Sequence, residues 1–185
     1  MINEAPTRFE MPLLYENIHL EATQAFSSCP LAGSLLEIFC SNAFAKVLLE
    51  KFNLTVELIP YPHLYRDQAG FHLPPHTDIE EKAITFGWYL PADNSYVDSG
   101  LKLYEKVGGE LVSFKRIDYV SNKAFAFMRS ESSWHGAEHK PKLKYDRNSL
   151  FVTFYNKAFY SDGFINIHDP NVDRGQINIP TSFNK

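Results

Sequence analysis

The chain has 185 residues, 44% hydrophobic and 15% aromatic, with a formal charge of −4 at pH 7. That length supports one domain with a substantial core and is short for two. The acidic balance offers no broad positive field for nucleic acid, and no stretch reaches the roughly 18 apolar residues of a membrane-spanning helix.

The opening stretch, MINEAPTRFEMP, has no basic region followed by an apolar run. No signal peptide is therefore expected, and a cytoplasmic location is the default. A short helix or turn is expected at 17–28. The clearest helix is predicted at 33–51, where Leu35, Leu36, Phe39, Phe44, Val47 and Leu48 recur at three- and four-residue spacing on one face. Ser34 followed by Glu37 fits a capping box at its start. Cys29 and Cys40 fall in this helical region and read as core or free thiols rather than a disulfide framework.

The stretch 54–61 reads as a strand ended by Pro60 and Pro62. Further strands are predicted at 63–67, 75–79, 84–90, 101–105, 123–128 and 149–155. Segments 91–100, 106–109 and 136–148 read as loops. Fifteen Phe and ten Tyr suit pleated, half-buried surfaces. Many short strands between turns indicate a sandwich or barrel rather than βαβ units. The tail, 160–185, repeats INI at 165–167 and 177–179, which reads as two short edge strands. Nothing marks a second domain, so a single domain over 1–185 is expected, with its core at about 54–160.

Chemistry concentrates in three places. PPHTD carries His76 and Asp78, which on a strand would point to one face with Thr77 on the other. SSWHG carries His135, at the beginning of an expected turn. DRNSLFVTFY opens a strongly apolar strand with Arg147 and Ser149. Two imidazoles and a carboxylate can form the facial triad of a non-haem Fe(II) oxygenase, which leaves open positions on one side of the metal. Arg147 offers a rigid two-pronged donor for a carboxylate, and Ser149 faces the same side if strand geometry holds. No GxSxG, CxxC, HExxH or phosphate-binding glycine loop is present.

The ordered set HTD, WHG and RNS resembles the Fe(II)/2-oxoglutarate-dependent oxygenases, with the similarity carried by residues 76–155. The resemblance implies a mainly β fold, a double-stranded β-helix (a cupin-like jelly roll), flanked by N-terminal helices. It implies Fe(II) held by His76, Asp78 and His135. It also implies 2-oxoglutarate gripped by Arg147 and Ser149, with Tyr104 as a further cosubstrate contact. Tyr65, Arg66 and Trp134 are its candidates for binding substrate. Lys82 reads as solvated, or as touching a carboxylate outside the metal ligands. His139 is a rival to His135 as a ligand.

The activity implied is hydroxylation of a small-molecule or amino-acid-like substrate using O₂. Two alternatives stay open on the sequence: a jelly-roll metal enzyme that does not use 2-oxoglutarate, and a non-catalytic small-ligand-binding protein of the same fold. No nucleic acid or membrane partner is expected. Free sheet edges and the polar tail could support a homodimer.

Overall fold

A computed structural model describes residues 8–12, 30–139 and 144–159. The expectations for 17–28, for the tail and for Cys29 lie outside these residues. The strands are β1 (Arg8–Pro12), β2 (Leu58–Asp67), β3 (His72–His76), β4 (Lys82–Tyr89), β5 (Leu101–Val107), β6 (Glu110–Ile117), β7 (Ala124–Met128), β8 (His135–Glu138) and β9 (Arg147–Asn156). They form two antiparallel sheets, one ordered β1-β2-β9-β4-β7 and the other β3-β8-β5-β6.

The predicted helix is two helices, α1 (Pro30–Phe39) and α2 (Asn42–Phe52). Ser41 makes the break. Its hydroxyl donates to the Ile38 carbonyl at 2.7 Å and accepts from the Phe44 N–H at 3.1 Å, so it stops one helix and caps the next. The capping box at Ser34 is not the start, because α1 begins four residues earlier at Pro30, whose fixed φ suits the first turn. Leu36, Cys40, Ala45 and Leu48 are buried, whereas Val47 is exposed. Burial pushes the Cys40 thiol up to about 12, so it behaves as a core residue. Among the described residues no helix is long and apolar enough to cross a membrane.

The helices cover one face of the five-stranded sheet. Ile84 and Phe86 of β4 and Val152 and Phe154 of β9 pack against Cys40, Ala45 and Leu48. The alternate residues of the same strands, Thr85 and Thr153 among them, look into the space between the sheets. Strands buried on both faces read as nearly unbroken apolar runs, which is why ITFGWYL and LFVTFY are so legible.

Strand boundaries differ from expectation where prolines or exposure mislead. β2 runs through Pro60 and Pro62 and absorbs the separate strand predicted at 63–67. β1 reaches only to Pro12, opposite His63, so Leu58–Pro62 has a described partner on one side alone. A proline is tolerated on such an edge because its missing N–H breaks no ladder bond there. β6 was not expected at all. It is the edge of its sheet, with Val112 46% and Phe114 56% exposed, and so lacks a buried alternation. Gly108 and Gly109, at φ 62° and 93°, make the two-residue turn that joins it to β5.

Candidate functional site

β3 ends at His76, two residues before Asp78, so the expected strand at 75–79 is displaced. The two residues converge for a different reason. His76 is the cross-strand partner of His135, because β3 and β8 run antiparallel and register these two opposite each other. Their rings are 4.4 Å apart between centroids. His135 opens a strand rather than the expected turn. Asp78 is drawn in from beyond the strand end by Lys82, whose Nζ is 2.7 Å from Oδ1, and by Thr85, whose hydroxyl donates to Oδ2 at 3.0 Å. Lys82 is therefore the ion-pair partner of Asp78, its side chain only 16% exposed, and the expectation of a solvated lysine is corrected. The i,i+4 spacing that a helix would use serves a turn into β4 instead.

One donor atom from each of His76, Asp78 and His135 lies within 4.8 Å of the others. Asp78 Oδ2 is 3.9 Å from His135 Nε2. His76 Nδ1 is 2.9 Å from the Pro74 carbonyl, and His135 Nδ1 is 2.9 Å from the Ser133 carbonyl. A carbonyl only accepts, so each Nδ1 carries a proton and each Nε2 is left as the donor atom for a cation. Burial, opposed by Asp78, pushes His135 down to about 4, which keeps it neutral near pH 7. Burial alone would raise the Asp78 carboxyl. The charge of Lys82, joined in acid by that of protonated His135, and the hydrogen bonds from Lys82 and Thr85 outweigh it and hold Asp78 below the usual range. Two imidazoles with their Nε2 atoms free and one ionised carboxylate on one wall match the donors that bind a divalent first-row metal.

Gly136 explains the close approach of β3 and β8. A Cβ there would lie 2.8 Å from the Leu73 carbonyl oxygen and 3.3 Å from Pro74 C and Pro75 N. The pairing of β3 and β8 shifts register between Leu73 and His76, the stretch that holds the two prolines. Gly136→Ala is expected to push Pro74, and with it the carbonyl that orients His76. Metal affinity should fall by about 10-fold or more, as when groups orienting ligands are lost. Anaerobic titration with Fe(II) measures it, and an unchanged affinity would show that β3 gives way without disturbing His76.

The same cavity is lined by Arg8, Tyr65, Leu101, Arg147, Phe151 and Thr153. Arg147 is completely buried. Its Nε donates to the Ser99 carbonyl at 2.7 Å and its Nη1 to Asp67 Oδ2 at 2.5 Å. Its guanidinium lies over the rings of Tyr89 and Tyr119, at 5.4 and 5.6 Å. Nη2 of Arg147 and Oγ of Ser149 are buried with no hydrogen-bond partner among the described residues. Both lie on the side of β9 that carries Phe151 and Thr153 to the cavity. Buried polar atoms of this kind are normally satisfied. Two orphaned donors on one strand face suit a carboxylate.

Tyr65 lines this cavity, but three other sequence candidates do not. Arg66 has the parity of Leu64, which packs on Leu36 of α1, and so points outward. There it is exposed, 3.4 Å from Asn148 Oδ1 and 4.0 Å from Asp146. The inward side of β5 carries Leu101 and Leu103, not Tyr104. Trp134 sits before β8, half-buried, with Lys106 Nζ 4.8 Å from its ring. His139 is no rival ligand: it is fully buried, and its ring nitrogens meet Ser99 Oγ at 3.1 Å and the Tyr145 carbonyl at 2.9 Å. Sequence reasoning missed Arg8 and Asp67. Alternation within YRD could have placed Asp67 beside Tyr65, but nothing in RFEMP marks Arg8.

No family model and no curated protein matches the chain. Solved structures do. A prolyl-4-hydroxylase from Pseudomonas putida aligns over 82% of this chain and 73% of its own, at 14% identity and a TM-score of 0.50. A prolyl 4-hydroxylase from Phytophthora capsici aligns over 83% of this chain, at 14% identity and a TM-score of 0.52. The chain spans half of the length of that second protein. The core is a double-stranded β-helix. This double-stranded β-helix fold is the one expected from the sequence, with short helices before its main strands. Its two sheets place the three donor residues and the Arg147 end around one cavity.

Proposed function

We propose that the chain is an Fe(II)- and 2-oxoglutarate-dependent oxygenase that hydroxylates a small-molecule or amino-acid-like substrate within a single domain. One observation carries the reading. A single cavity has two imidazoles and a carboxylate on one wall and a buried arginine with an unsatisfied nitrogen on another. The fold shared with two prolyl 4-hydroxylases supports it. The Arg147 end favours 2-oxoglutarate use over the alternatives left open by the sequence, since a bare metal enzyme has no need of a buried carboxylate receptor.

In this reading His76, Asp78 and His135 hold Fe(II), and Arg147 with Ser149 takes the distal carboxylate of 2-oxoglutarate. Together with O₂ these cofactors supply the oxidising power to place one oxygen atom in a substrate C–H bond, while 2-oxoglutarate becomes succinate and CO₂. The protein's part is orientation and exclusion of water. Pro74 and Ser133 fix the histidine tautomers, and Lys82 and Thr85 occupy both oxygens of Asp78 so that the carboxylate cannot swing. Leu73, Leu101, Ala137 and Phe151 give the cavity apolar walls. Tyr65 lies where a bound substrate or cosubstrate would touch its ring.

Anaerobic titration with Fe(II), with and without 2-oxoglutarate, tests the reading. A metal-to-ligand charge-transfer band that needs both components is expected. No metal uptake and no band would overturn it.

A further inference from the structure

The carboxylate receptor of the proposed function already contains a carboxylate. Arg147 and Asp67 are both completely buried and paired, and together they carry no net charge. A guanidinium neutralised in this way is a poor receptor, because a second carboxylate brought beside it would set two anions against one cation where water screens little.

Arg8 alters that balance. Asp67 is the register partner of Arg8 on β1 and of Arg147 on β9, so the three side chains form a row across three neighbouring strands. Arg8 Nε is 2.6 Å from Asp67 Oδ1, and Arg8 Nη2 is 3.1 Å from Oδ2, the oxygen that Arg147 also uses. Two guanidinium groups share one carboxylate, and the row has one positive charge in surplus. Little of that charge reaches water. The Arg8 side chain is 17% exposed, and its guanidinium lies 4.2 Å from the Tyr65 ring centre and 4.6 Å from that of Phe71. Arg8 and Arg147 both line the cavity, so the surplus charge faces the space a ligand would enter.

We infer that Arg8 makes this end of the cavity able to bind a carboxylate, by restoring to the Arg8–Asp67–Arg147 row the positive charge that Asp67 cancels. The inference rests on the proposed function, which supplies the distal carboxylate of 2-oxoglutarate as the neutralising group. Arg8 is a positioning and charge-balancing residue, and it ties the N-terminal strand β1 to cosubstrate selection.

Two probes isolate the effect: 2-oxoglutarate, and 2-oxobutyrate, which has the same metal-chelating end and no distal carboxylate. Affinity for each is read from the charge-transfer band in anaerobic Fe(II)-loaded protein. Arg8→Gln is expected to weaken 2-oxoglutarate by about 10-fold or more while leaving 2-oxobutyrate unchanged, the scale of a charged hydrogen-bonding contact. Arg8→Lys keeps the charge and should retain most of the preference. Adding Asp67→Asn to Arg8→Gln removes the anion that Arg8 offsets, and should recover much of what was lost. A purely structural Arg8 would weaken both probes together and make the double variant worse than either single one. That pattern, or an unchanged preference in Arg8→Gln, overturns the inference while the wild-type band stands. Absence of the band from the wild-type protein overturns the proposed function and the role of Arg8 with it.

Discussion

Asp78→Ala is expected to lower Fe(II) affinity by more than about 100-fold, beyond the loss caused by disturbing groups that merely orient ligands. Asp78 is the anionic member of the three donors, and its side chain is 4% exposed. Its removal does more than delete a ligand. Lys82, 16% exposed and 2.7 Å from Asp78 Oδ1, would be left without that counter-ion beside the place a dication must enter. The remaining charge opposes metal binding. Asp78→Asn keeps one acceptor oxygen, for either Lys82 or Thr85, but not the charge, and should fall between wild type and Asp78→Ala. Anaerobic Fe(II) titration of both variants, with circular dichroism to show that they are folded, measures this. Wild-type affinity in Asp78→Ala would remove Asp78 from the ligand set.

Arg147→Met should lose both stability and cosubstrate binding. Breaking a buried ion pair from one side costs about 3 kcal/mol or more, because the remaining ion stays buried. Here that ion is Asp67, 0% exposed, although Arg8 remains bonded to it and places the loss at the lower end. A change of about 3 kcal/mol corresponds to a fall in Tm of roughly 6–12 °C for a chain of this size. In the fraction that folds, affinity for 2-oxoglutarate should drop by about 10- to 100-fold, the range for losing charged hydrogen bonds to a carboxylate. Thermal unfolding and the charge-transfer titration read the two effects separately. Unchanged 2-oxoglutarate binding would leave Arg147 with a structural role alone.

What the sequence disclosed and what it hid have physical causes. The strands buried on both faces, β4 and β9, stand out because nearly every position of ITFGWY and LFVTFY is buried or half-buried. The edge strand β6 does not, since exposed positions tolerate Lys115 and Arg116 beside Phe114. The helix break at Ser41 was hidden because a serine within an apolar periodicity looks like a tolerated polar position until its hydroxyl is seen to bond both helices. At the site, HxD spacing pointed to the right pair of residues for an incomplete reason. His76 is held by registry with His135, and Asp78 by Lys82 and Thr85, contacts that depend on how β3, β4 and β8 meet. Arg66 looked like a substrate contact because it is a cation beside the ligand strand. Its parity on β2 turns it outward, and a cation that does line the cavity beside β2 is Arg8, 59 positions before Asp67 in sequence. Such a contact is set by the pairing of β1 with β2 and leaves no local pattern.

The most direct measurement is the fate of ¹⁸O₂ in the Fe(II)-loaded protein with 2-oxoglutarate, followed by mass spectrometry of succinate. An oxygenase of the proposed kind releases succinate only when O₂ is present, with one ¹⁸O atom in its new carboxylate, and the release disappears in Asp78→Ala. Succinate formed without O₂, or none formed by metal-loaded protein that binds 2-oxoglutarate, would contradict the account.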